Sequence, residues 1–214
     1  MLARRLGPWI LLACCPAVAL GYGYGSEDDP LLLTFRKAAT AAQGGDLGPA
    51  RALLPEVQWQ VEELRAKDDL GLDVEPMLRQ AHGPNATPAG ALQAWANLLY
   101  LGMLQKFHWN LQEKLADYHK ARARLESAAA YYEAALAGNV RQDDARRKAA
   151  DPAAPSRHAD ITAQFTAART ALGSPGLFGA GQRPPDVPAF EAAVRRIVGH
   201  LNAVFPTFVR PRAR

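Results

Sequence analysis

The chain is predicted to be all-α: a single-domain bundle of four to five helices around one long central helix over about residues 88–136. Three observations point there. Alanine and leucine dominate while valine, isoleucine and threonine are scarce, which favours helix over strand because β-branched side chains lose rotamer freedom in helices. Glycine and proline pairs punctuate the chain at helix-length intervals. From Leu104 the residues His108, Leu111, Leu115, Tyr118, Arg122, Leu125, Ala129, Tyr132 and Leu136 follow at alternating steps of four and three, the repeat by which one helix lies along another.

Taken in order, Glu27-Asp28-Asp29-Pro30 starts the first helix, with an acidic cap and proline in the first turn. Gly44-Gly45 stops it and Asp46 caps the next, so residues 30–66 form a helical hairpin burying Leu32, Phe35, Ala39, Leu53, Val57, Val61 and Leu64. Pro55 kinks or divides the second arm. A short helix over 74–81 is capped by Asp73 and ended by Gly83, and Thr87-Pro88 opens the long helix. The first part of that helix, Ala91 to Leu104, is apolar nearly all round and reads as a buried central segment. Gly138-Asn139 ends the long helix, and residues 139–157 read as a charged connection containing about one helical turn. Helices over 157–172 and 187–204 follow, the second capped by Asp186. Their inward residues are Ile161, Phe165, Ala168 and Leu172, then Phe190, Val194, Ile197, Val198 and Leu201.

Ahead of the bundle, residues 1–20 read as a cleavable export signal. Arg4 and Arg5 are followed by the apolar run Leu6–Leu20, and Ala17-Val18-Ala19 offers small residues at alternate positions for a signal peptidase. The run is too short to span a bilayer, which needs roughly 20 apolar residues. Leu11-Leu12-Ala13-Cys14 resembles a lipobox, so a lipid anchor at Cys14 is the alternative to a periplasmic or secreted product. Both cysteines, Cys14 and Cys15, lie in this segment, leaving the remainder without disulfides, thiolate zinc sites or iron–sulfur clusters.

Charge is unevenly spread. Residues 21–99 carry 6 basic and 11 acidic side chains, whereas residues 100–214 carry 17 basic and 10 acidic. Two oppositely charged faces result, which either pair within the fold or steer a partner. The whole-chain charge of +4 does not call for a nucleic-acid partner. The tail Arg210-Pro211-Arg212-Ala213-Arg214 reads as a solvated end.

Chemistry has little to build on. None of His82, His108, His119, His158 and His200 has a carboxylate or second histidine three or four residues away, the spacing that paired metal sites in bundles use. There is no HExxH, no Gly-x-Ser-x-Gly elbow and no phosphate-cradling glycine loop. His108 is the one histidine on the predicted seam, beside Phe107 and Trp109. It is either a satisfied core imidazole or a metal or haem ligand, with Met77, Met103, His119 and His200 as second-ligand candidates. On one straight helix His119 stands about 16 Å from His108, too far to share an ion. Arg122, also on the seam, requires an acidic partner such as Glu62 or Glu63. Trp109 and Tyr118 are core aromatics or the wall of a ligand pocket. The hairpin with its Gly-Asp turn, around residues 38–54, resembles elements of exported bacterial bundles, some linked to metal uptake.

The expectation is therefore an exported, non-catalytic bundle that binds a partner protein or a small ligand, with no membrane span and no identified cofactor. A metal- or haem-binding carrier built on His108 is the alternative.

Overall fold

The computed structural model describes residues 29–45, 47–66, 70–83, 85–176 and 181–209. The expected export signal over residues 1–20 with Cys14 and Cys15, the residue expected to cap the second helix, Asp46, and the tail 210–214 lie outside the described residues. What is described is all-helical. The elements are α1 (Pro30–Gln43), α2 (Leu47–Ala52), a 3-10 turn (Leu54–Val57), α3 (Gln58–Arg65), α4 (Glu75–His82), α5 (Pro88–Gln112), α6 (Tyr118–Tyr131), a π turn (Tyr132–Leu136), α7 (Ala137–Ala150), α8 (Arg157–Ala171) and α9 (Val187–Val204). No helix among the described residues is long and apolar enough to cross a membrane.

Local chemistry explains most of the boundaries. The Asp29 carboxylate accepts from the amides of Leu31 and Leu32 at 3.1 and 3.2 Å, and Pro30 occupies the first turn of α1. Thr87, Asp117, Ser156 and Asp186 cap α5, α6, α8 and α9 in the same way. Pro55 divides the second arm of the N-terminal hairpin, sitting in the 3-10 turn between α2 and α3. Between α8 and α9, Gly173 is required: at φ 74° an added Cβ would stand 2.3 Å from the Arg183 carbonyl oxygen, where Ser174 and Arg183 exchange backbone hydrogen bonds of 3.0 Å.

The predicted central helix is two helices. The chain reverses at residues 113–117, with Lys114 and Leu115 at φ 52° and 57°, and Asp117 caps α6 through the Lys120 amide at 3.1 Å. Tertiary burial outweighs helical continuity here, because the turn folds Leu115 into the core and lays α6 antiparallel against α5. Asn110 donates to the Ala121 carbonyl at 2.9 Å, and Gly102 lies against Tyr131. The four-and-three stripe continued across a reversal and holds only in part beyond it: Leu125, Tyr132 and Leu136 are buried as it implies, but Ala121 and Ala128 take the core places expected of Arg122 and Ala129. Ala121, Leu125, Ala128 and Tyr131 are buried in α6, whereas Arg122 is exposed.

A second correction follows at Gly138, which does not end a helix. A π turn, closed by the Ala137 amide on the Tyr132 carbonyl, carries the chain into α7, so residues 139–150 of the expected connection are helical. Consecutive tyrosines at its start are both buried, Tyr131 against Asp29 and Lys106 and Tyr132 against His158 and Phe165. The two-proline segment 151–155 is non-helical, as the sequence implies.

The core runs around α5, of which Ala91, Trp95, Leu98, Leu99, Leu101 and Met103 are buried. Phe107 packs on Phe165 of α8 and edge-on to Phe190 of α9, and Tyr132 packs on Phe165. Each such large side chain contributes about 1.5–3 kcal/mol on leaving water.

Candidate functional site

Where α1, the start of α5, the π turn with the first turns of α7, and the end of α9 meet, they enclose a groove of about 550 Å³. Its floor is apolar. Phe35 of α1, Leu92 of α5, and Val204, Phe205 and Phe208 at the C-terminal end face it, with Ala39, Ala89, Ala134 and Ala135 between them. Phe205 and Phe208 stack with ring centroids 4.6 Å apart, and Phe208 also packs on Tyr100 at 5.6 Å. Two hydrogen bonds fix this corner: Tyr100 to Asn202 at 2.7 Å, and Gln93 to Thr207 at 3.1 Å.

Small residues create the space. Gly138 lies on the groove wall, and a Cβ added there would meet nothing within 4 Å. The rim is polar, made by Gln43, Asn139, Gln142, Asp143 and Arg146. Asp143 is already engaged, forming an ion pair with Arg157 of α8. Arg146 is exposed and makes no ion pair among the described residues. The arrangement suits binding a molecule with an apolar body and a polar end, and its volume lies within the roughly 300–1,000 Å³ of small-ligand pockets.

The residues singled out in the sequence do not converge on this groove. Met103 is fully buried core. His108 is half-buried on α5, and its Nε2 is buried without a hydrogen-bond partner among the described residues. His119 is exposed and meets Tyr118 edge to face at 5.4 Å; both line a separate cavity of about 440 Å³ beside Leu172 and Pro184. The reversal at residues 113–117 stands between His108 and His119, so the single-helix separation does not apply. His200 is engaged with Asp160 of α8 at 2.6 Å, alongside Arg196. Trp109 lies under the Arg124 guanidinium at 5.3 Å, and Arg124 holds Glu113 in a two-point ion pair at 2.8 and 2.9 Å. Arg122 is exposed, so it needs no buried carboxylate; instead Gln105 reaches Glu63 at 3.5 Å. Among the described residues no three histidines, cysteines or carboxylates gather as a metal site.

Two polar networks escaped the sequence reading. In the first, Tyr131 donates to the Asp29 carboxylate at 2.7 Å while the Lys106 ammonium stands 3.6 Å from it and 5.2 Å from the Tyr131 ring centre. Burial lowers the Lys106 pKa against the opposing pull of Asp29, and burial together with that carboxylate raises Tyr131. This network pairs α1, α5 and α6 and joins the acidic first half to the basic second half. In the second, Asp144 of α7 accepts from the Ser156 hydroxyl and the amides of Arg157 and His158. Beside it Tyr132 meets His158 Nδ1 at 2.6 Å, while Arg141 donates to Nε2 at 3.2 Å. Neither network was legible because the first joins residues as many as 102 positions apart and the second links helices through residues 12 to 26 apart.

Set against known protein families, curated proteins and solved structures, the chain matches none.

Proposed function

We propose that this chain is an exported, non-catalytic helical-bundle protein that binds a small ligand in the groove between α1, α5, α7 and the end of α9. The groove itself carries the reading. It combines an aromatic and aliphatic floor, a hydrogen-bonded corner and a polar rim in a volume suited to a small molecule. The π turn supports it too, since such turns recur at functional sites and this one supplies Ala134 and Ala135 to the wall. The titratable cluster of Asp29, Lys106 and Tyr131 satisfies itself within the helix packing, which favours binding over chemistry. Export rests on the signal-like residues 1–20.

The test is ligand-dependent thermal unfolding of the protein purified from the cell envelope, alongside native mass analysis, for wild type and Gly138→Trp. The tryptophan fills the groove from a position with room for a side chain. A ligand at 100 times its Kd adds about 2.7 kcal/mol, which raises Tm by roughly 5–11 °C for a domain of this size. The expected result is one ligand per chain, lost in Gly138→Trp while helicity is kept. Ligands that stabilise both proteins equally refute the groove.

The alternative, a metal or haem carrier, has one supporting observation: the buried, unpartnered Nε2 of His108. A Soret band or a bound ion that His108→Ala abolishes would establish it.

A further inference from the structure

We infer that the groove is selective for an apolar monocarboxylate, whose hydrocarbon body lies on the phenylalanine floor and whose carboxylate is held by Arg146. The inference rests on the ligand-binding reading above and specifies what that site recognises. Charge on the rim decides it. Of the two ionised side chains there, Asp143 is held by Arg157, while Arg146 makes no ion pair among the described residues. The rim therefore presents one uncompensated positive charge next to an apolar floor of Phe35, Phe205 and Phe208. A guanidinium matches a carboxylate with two parallel hydrogen bonds, a geometry an alcohol cannot use. The amide of Gln142, one turn away on the same helix, adds a neutral donor. A second negative charge on the ligand would meet the Asp143 carboxylate, so a single charge fits better than two.

The experiment compares octanoate with octanol by isothermal calorimetry on the full chain, for wild type, Arg146→Gln and Gly138→Trp. Arg146 is exposed, so its substitution leaves packing untouched. Octanoate is expected to bind wild type about tenfold or more tighter than octanol, as a charged hydrogen-bonded pair implies. Arg146→Gln should erase that preference while octanol affinity stays within about twofold, and Gly138→Trp should weaken both. Equal affinity for both probes, or a preference that survives Arg146→Gln, overturns the carboxylate assignment; if Gly138→Trp still abolishes binding, the groove stands. Failure of both probes to bind wild type overturns the assignment as well.

Discussion

Replacing Asp144 by alanine probes the joint between α7 and α8. Its carboxylate, only 6% exposed, accepts from the Ser156 hydroxyl at 2.7 Å, from the amides of Arg157 and His158 at 2.9 Å each, and from Arg147 at 3.4 Å. Those amides belong to the first turn of α8, where helical geometry provides no internal acceptor. Loss of a helix cap costs about 1 kcal/mol, and a hydrogen bond to a charged group contributes about 1.5–3 kcal/mol. The bonds share one carboxylate, and water reaches the freed amides in the variant, so the total is about 3 kcal/mol and not the sum of the parts. For a domain of this size Tm falls by roughly 6–12 °C. Asp144→Asn keeps one acceptor oxygen and should lose about half as much.

The pH dependence has a definite sign. Burial opposes ionisation of Asp144, but the hydrogen bonds from His158, Ser156 and Arg157 outweigh it and hold the carboxyl below its usual 3.8. A depressed carboxyl pKa contributes stability that is present above the unfolded value and lost as pH falls through the folded one. The gap between wild type and Asp144→Ala is therefore constant from neutral pH down to about 5 and closes below about 4. Urea unfolding followed by circular dichroism at neutral pH and in acid measures it. A loss under about 1 kcal/mol at neutral pH, or a gap that does not narrow in acid, refutes the reasoning.

Two further substitutions examine the reversal after α5 and the approach of its neighbours. Lys114→Gly should stabilise by about 0.5–1 kcal/mol, since a left-handed non-glycine residue costs about 1–2 kcal/mol and glycine's extra unfolded-state freedom returns part of that. Were residues 88–136 one continuous helix, the same change would instead destabilise by about 1 kcal/mol, so the sign of the shift in urea midpoint decides. Gly102→Leu should destabilise by about 1–3 kcal/mol or more, because a Cβ there already stands 3.0 Å from side-chain atoms of both Leu31 and Tyr131. A loss of unfolding free energy in urea of less than about 0.5 kcal/mol would mean that α1 and α6 do not meet at this glycine.

Caps and apolar spacing act over a few residues, so the sequence alone determined what depends on them. The helical class, the Asp29-Pro30, Thr87-Pro88 and Asp186 starts, the division at Pro55 and the buried faces of α8 and α9 follow from that local chemistry. The tertiary structure decided the reversal at Lys114-Leu115, where burial of Leu115 and the packing of α6 on α5 outweigh a left-handed backbone that no local signal announces. It also decided that helix persists through Gly138, where Leu136, Ala137 and Val140 on either side of the glycine are buried against the rest of the bundle. The groove belongs to this second class. Phe35, Phe208 and the α7 residues Gly138 and Arg146 come from three distant parts of the chain, and an absent side chain becomes a cavity only when other helices surround it.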